Sequence, residues 1–135
     1  MLVYLAASTL GHLLWEIAQL PFYTIWPDGG FGQIGFAVLH CTAGDVLIAA
    51  TALVLAQWAF APASRRVVGA TLVIGAAYTA GSEYVHAVIR TDWAYSQLMP
   101  TLPILGIGVL PMAQWLVIPA IALHLAHRQI AAFSR

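Results

Sequence analysis

Four long apolar stretches, which together make up most of the chain, limit the fold more than any other feature of this sequence. They lie at about 2–20, 34–60, 67–89 and 104–126, separated by turn segments that contain Pro or Gly. Each is close to the roughly 20 residues that a helix needs to cross about 30 Å of hydrocarbon. We therefore predict an all-α protein, a single membrane domain over residues 1–135 that forms an integral membrane four-helix bundle.

The composition agrees with this prediction, because 61% of the residues are hydrophobic and only 7% are Asp, Glu, Lys or Arg. A soluble fold of this size needs a polar shell, whereas a chain that is apolar all round needs lipid as its solvent. The formal net charge is zero and the chain has no lysine, so nothing suggests a nucleic acid partner. Because the first stretch lacks a basic start and carries Glu16, we predict a retained span rather than a signal peptide.

The arginines predict the orientation of the chain in a membrane. Four of the five lie in the connection between the second and third stretches or in the C-terminal tail: Arg65, Arg66, Arg128 and Arg135. Positively charged connections stay on the cytoplasmic side. Both termini are therefore predicted to be cytoplasmic, with residues 21–33 and 90–103 as external loops.

Three of the five acidic residues, Glu16, Asp45 and Glu83, lie within the predicted spans. A charged side chain at the middle of a bilayer costs about 2.5–3.5 kcal/mol on insertion scales, so such groups face the bundle interior, pair or stay protonated. Counting about 1.5 Å of rise per residue puts these groups in the outer half of the bundle. We expect a polar cavity that opens to the outside and is formed by Glu16, His40, Asp45, Glu83 and Gln114.

Such a cavity suits an intramembrane acid/base enzyme that acts on a lipid or prenyl substrate by cyclase- or isomerase-like proton transfer. A carboxyl group in apolar surroundings keeps its proton near neutral pH and can deliver it to a substrate. No cofactor is needed for this chemistry. The predicted catalytic residues are Glu16, His40, Asp45 and Glu83, and the predicted substrate-binding residues are Trp15, Gln19, Trp93, Tyr95 and Gln114.

The same side chains have structural interpretations. Glu16 lies four residues from His12, and this pair could satisfy two buried polar groups locally. Glu83 could form an ion pair near the interface with His86 or Arg90. Gln114 and Asp45 could bond across helices without taking part in any reaction.

Two other functions fit the sequence. The first is a metal- or haem-binding subunit of a redox assembly, because Glu83-x-x-His86 has the spacing of carboxylate metal sites in helix bundles. Its ligands to a divalent metal or haem would be His12, His40, Glu83 and His86. The second is a proton- or ion-coupled transport module, for which buried acids are expected. Four spans form a narrow path, so a homo-oligomer or a larger membrane complex would be required.

Five segments of the chain carry a resemblance: LLWEIAQLPFY at 13–23, LHCTAGD at 39–45, SEY at 82–84, WAYSQLMP at 93–100 and GIGVLPMAQW at 106–115. They resemble a group of small four-span bacterial membrane proteins to which no activity is attached, and this resemblance implies a location in the bacterial cytoplasmic membrane. The chain is also similar, more faintly, to integral membrane cyclases of carotenoids and meroterpenoids, in which a Trp-Glu pair and acids near helix ends protonate the substrate. Trp15-Glu16 and Glu83 carry that likeness, which implies proton donation by these two acids.

Overall fold

The computed structural model describes residues 1–61 and 64–133, and this part of the chain is all helical, without strands. Arg135, which entered the orientation prediction, lies outside the described residues. The all-α class predicted from the sequence is confirmed. The helices are α1 (Leu2–Gln19), a single short turn α2 (Ile25–Asp28), α3 (Phe31–Ala59), α4 (Arg65–Glu83) and α5 (Val109–Phe133).

The four long helices follow the four apolar stretches, with differences at their ends that have local causes. Helix α3 begins at Phe31, three residues early, because the Gln33 side chain accepts a hydrogen bond of 2.8 Å from the Gly30 N–H. Helix α5 begins only at Val109, since Gly106 adopts a φ of +68° that a helix cannot contain. Pro111 therefore lies in the first turn of α5, where its missing N–H has no helical partner to lose.

The long helices pack in a ring in which α1 contacts α3 and α5, and α4 contacts the same two helices. Most of the apolar core lies at the end of the molecule where α1 begins and α3 ends. Its residues include Tyr4, Leu53 and Ala56. Trp115 of α5 packs so closely on Gly75 of α4 that a Cβ atom at position 75 would overlap the indole ring. We call the end of the molecule where α1 begins and α3 ends the core end.

The distribution of polar side chains on α1 is the reverse of that in a soluble protein. Its buried face consists of the polar or amphipathic residues Tyr4, Ser8, His12, Glu16 and Gln19. Its outward face is apolar, and Leu2 is 84% exposed. Helix α3, over Phe31–Ala59, and the part Val109–Gln129 of α5 are long enough and apolar enough to cross a membrane, by length and composition.

The opposite end, which we call the cavity end, is covered by two connections that are hydrogen-bonded to each other. A single π-helical turn over Tyr84–Ile89 extends α4, and an irregular segment then leads to α5. This segment pairs with the connection after α1, because Thr24 N donates to Ala94 O at 3.0 Å and Ser96 N donates to Phe22 O at 2.9 Å. The connection over 90–108 is therefore tied down across the ends of the helices.

Candidate functional site

A cavity of about 1140 Å³ lies at the cavity end, between α1, the first half of α3 and the last turns of α4. Pro111 and Gln114 of α5 form part of its wall. All five acidic residues of the chain line this cavity: Glu16, Asp28, Asp45, Glu83 and Asp92. The cavity therefore contains every carboxyl side chain of the protein.

The side-chain amide of Gln114 joins three helices at the inner wall of the cavity. Its Nε2 atom lies 2.9 Å from Asp45 Oδ2 on α3, 3.1 Å from Glu16 Oε1 on α1 and 2.9 Å from His12 Nδ1 on α1. Gln19 adds a further hydrogen bond of 2.9 Å to the same oxygen of Glu16. The sequence predicted that Glu16, Asp45 and Gln114 line one cavity, and these contacts bring the three side chains together. His12 is a fourth member of the cluster.

The number of hydrogens on Gln114 Nε2 limits the hydrogen bonds in this cluster. An amide nitrogen carries two hydrogens and accepts no hydrogen bond, yet Gln114 Nε2 faces three groups that can accept one. At most two of its contacts with His12, Glu16 and Asp45 are therefore full hydrogen bonds at one time. His12 Nδ1 also lies 3.5 Å from Asp45 Oδ2, so a ring nitrogen and a carboxyl oxygen lie side by side.

Glu83 lines the same cavity but has its own partner. The Tyr95 hydroxyl donates a hydrogen bond to Glu83 Oε2 and accepts one of 2.9 Å from the backbone N–H of Gly108. Burial, and the Glu83 carboxyl group beside it, raise the pKa of the Tyr95 phenol. The phenol therefore stays neutral and keeps donating to Glu83.

A third polar group lies at the rim. His86 Nδ1 is 2.6 Å from Asp92 Oδ2, and Arg90 Nε donates to the same oxygen at 3.2 Å. Trp93 stacks on the His86 ring, with centroids 4.8 Å apart. The sequence left open that Glu83 forms an ion pair with His86 or Arg90. In the structure, both residues contact Asp92 instead.

Two further predicted site residues, His40 and Trp15, lie in different surroundings. His40 is exposed, lines the cavity and stacks on Phe36, with ring centroids 5.4 Å apart. Trp15 is half-buried, and its Nε1 donates to Gln19 Oε1 at 3.2 Å. His40 thus lies apart from the Gln114 cluster, whereas Trp15 supports that cluster indirectly through Gln19.

The side chains predicted as alternative metal or haem ligands have separate partners. His12 belongs to the Gln114 cluster, His40 stacks on Phe36, Glu83 bonds to Tyr95 and His86 pairs with Asp92. Among the residues that the structure describes, no three His, Cys, Asp or Glu side chains converge in a way that could hold a metal ion.

Two features of the site were missed from the sequence. Asp28 and Asp92 were assigned to loops, although both line the cavity together with Glu16, Asp45 and Glu83. Tyr4 and Ser8 continue the buried polar face of α1 towards the core end. A four-residue spacing from Tyr4 through Ser8 and His12 to Glu16 is visible in the sequence and could have identified this face.

No family model, curated protein or solved structure matches this chain. The fold and the site therefore define its class by themselves: an all-helical protein with apolar outward surfaces and an acid-lined cavity at one end. The resemblance to small four-span bacterial proteins stays a prediction.

Proposed function

We propose that this chain is an integral membrane protein of the bacterial cytoplasmic membrane and that its four long helices form a membrane-spanning bundle. The reversed polarity of α1 supports this proposal, because a helix that buries Ser8, His12 and Glu16 and exposes leucines is stable only where the surroundings are apolar. The candidate spans α3 and α5 agree with it. The core end then faces the cytoplasm, since Arg65, His124 and His127 lie together there.

Within this membrane protein, we propose acid/base chemistry on an amphiphilic lipid or prenyl substrate. The observation that carries the proposal is that carboxyl groups from three helices line one cavity without arginine partners among the described residues: Glu16, Asp45 and Glu83. In the described part of the chain, no arginine forms a salt bridge with any of these three acids. The chain has no lysine. Buried acids without a cationic partner hold protons that they can transfer.

The reaction we propose has two proton transfers. A protonated carboxyl group gives its proton to a carbon–carbon double bond of the substrate, which breaks an O–H bond, forms a C–H bond and leaves a carbocation. A second carboxylate then removes a proton from a neighbouring carbon, which shifts the double bond. In a cyclisation, a second double bond of the substrate first attacks the carbocation and closes the ring, and the carboxylate then removes a proton from the cyclised cation. Asp45, whose side chain is 15% exposed, is the donor we favour, and Glu83, which lines the same cavity, is the acceptor.

Deuterium incorporation tests this function without knowledge of the substrate. Purified protein in nanodiscs would be incubated in D₂O with bacterial polar lipids and prenyl lipids, then washed in H₂O and analysed by mass spectrometry. We expect a lipid that retains carbon-bound deuterium, because O–D and N–D groups exchange back during the wash. Asp45→Asn and Glu83→Gln should abolish the incorporation, and His127→Gln at the core end should not. Incorporation that survives both cavity substitutions would contradict the proposal.

A second candidate, proton-coupled transport, is supported by the buried polar face of α1. Ser8 and Tyr4 continue from His12 towards the core end, and the Tyr4 hydroxyl donates to Ala49 O at 3.3 Å. Proteoliposome flux measurements under a pH gradient test this candidate. Flux that is lost in both Glu16→Gln and Ser8→Ala would support transport, and no flux under any gradient would exclude it.

A further inference from the structure

The charged residues are separated along the molecule, and this separation bears on what the cavity accepts. Every acidic residue of the chain lines the cavity. No arginine in the described part of the chain lines the cavity. Arg90, which directly follows the π-helical turn after α4, is 61% exposed and bonded to Asp92. Apart from Asp92, the carboxyl groups of this cavity therefore have no arginine from the described residues beside them, and any of them that is ionised attracts cations and repels anions.

The walls of the cavity add a second preference of the same sign. Tyr23, Phe36, Tyr78 and Trp93 line it together with aliphatic side chains from α3. Aromatic faces attract organic cations, and the attraction strengthens where water is excluded. At about 1140 Å³, the cavity has room for an organic molecule much larger than an inorganic ion.

An unpartnered hydroxyl marks where the polar end of a ligand can bind. Thr79 is only 7% exposed and lines the cavity one helical turn before Glu83, yet its Oγ1 has no hydrogen-bond partner in the described structure. A buried hydroxyl without a partner is unfavourable by about 1–3 kcal/mol. A bound N–H group could donate to Thr79 Oγ1 and approach Glu83 at the same time.

We propose that the cavity binds an amphiphile whose polar end is an ammonium group, and that it rejects lipids ending in phosphate or diphosphate. The cation supplies a partner for Glu83, the carboxylate that accepts the proton in the proposed reaction, because a carboxylate beside a cation is stabilised in its ionised form. Asp45, the proposed donor, keeps its proton. The aromatic and aliphatic walls enclose the apolar tail. This inference rests on the proposed function in that it names the class of substrate for the same cavity.

Three probes with one tail isolate the charge of the polar end: farnesylamine, farnesol and farnesyl phosphate. Binding of each to the protein in nanodiscs of neutral lipid would be measured by displacement of a fluorescent lipid. We expect farnesylamine to bind about tenfold more tightly than farnesol and farnesyl phosphate more weakly than farnesol. Equal binding of all three, tighter binding of the phosphate or no binding of any probe would overturn the inference.

Variants separate charge recognition from simple loss of the fold. Glu83→Gln should reduce the preference for the amine by about threefold or more, whereas Asp45→Asn should reduce it less, because Asp45 carries a proton in the proposed reaction; farnesol affinity should stay the same and report an intact cavity. Thr79→Val should weaken farnesylamine selectively. His127→Gln, at the core end, is the control and should change nothing. If the preference for the amine survives Asp45→Asn combined with Glu83→Gln, the carboxyl groups do not cause it and the inference fails.

The two proposals can fail separately. If farnesylamine is preferred but no lipid gains carbon-bound deuterium, the cation site stands and the enzymatic function falls. If a neutral prenyl lipid gains deuterium while the three probes bind equally, the enzymatic function stands and the cation site falls.

Discussion

Gln114 joins three helices through one amide nitrogen. Replacing it with Ala would leave His12, Glu16 and Asp45 without their shared partner in a buried place. We expect Gln114→Ala to lower the free energy of unfolding by about 1–3 kcal/mol, because buried polar groups would lose hydrogen bonds without gaining water. Gln129→Ala is the matched control, since Gln129 is exposed on the same helix. Denaturant unfolding in detergent micelles measures both, and equal effects would contradict this role for Gln114.

Tyr95 predicts a dependence of stability on alkaline pH. Its pKa is raised in the folded state by burial and by the Glu83 carboxyl group, above the ordinary phenol value of about 10. For a raised pKa, the stabilisation is fully present below the unfolded value and is lost as pH rises through the folded value. The free energy of unfolding should therefore fall above about pH 10.

Tyr95→Phe tests this assignment. The variant should be less stable than the wild type at pH 8, because Glu83 and the Gly108 N–H lose a partner. Its stability should then fall less steeply above about pH 10, with the remaining decline due to other tyrosines such as Tyr23, whose pKa burial also raises. Identical pH profiles of unfolding for wild type and variant would show that Tyr95 does not contribute.

At the scale of the helices, two glycines of α4 give opposite predictions. A Cβ atom at position 75 would overlap the Trp115 ring, whereas one at position 69 would meet no atom within 4 Å. Gly75→Ala should therefore force α4 and α5 apart and destabilise the protein by about 1–3 kcal/mol. Gly69→Ala should leave stability unchanged or raise it by up to about 1 kcal/mol, because alanine favours a helix. Thermal unfolding of the two variants side by side checks this difference.

At the scale of the whole molecule, the proposed orientation predicts which connections reagents can reach. Ala61 and Gln97 are exposed and lie on the connections at the two ends of the molecule. In a Cys41→Ala background, Gln97→Cys should react with a membrane-impermeant maleimide in cells whose outer membrane is permeabilised. Ala61→Cys should react only after the inner membrane is opened, because the arginine-rich end stays in the cytoplasm. Labelling of Ala61→Cys before that step would reverse the proposed orientation.

The sequence by itself determined the helical class and the approximate position of each long helix. Apolar stretches of about 20 residues must satisfy their backbone hydrogen bonds internally in an apolar environment, and a helix does so with local contacts alone. Predicted and observed helix ends differ by up to seven residues: α4 ends at Glu83 rather than near 89, and α5 runs from Val109 to Phe133 rather than over 104–126 because the φ of Gly106 delays its start. The sequence also indicated that Glu16, Asp45 and Gln114 are neighbours, because the rise and twist per residue set their positions along and around each helix.

Only the tertiary structure decided which partner each polar side chain takes. Helical spacing fixes which side of its own helix a residue occupies, but not the rotation of that helix against its neighbours, which the packing of all four together sets. This packing gives Gln114 its bonds to two other helices, and leaves His40 beside Phe36. The folding of the connections brings Tyr95 to Glu83 and adds Asp28 and Asp92 to the cavity, since contacts between distant loops are not encoded by any local period.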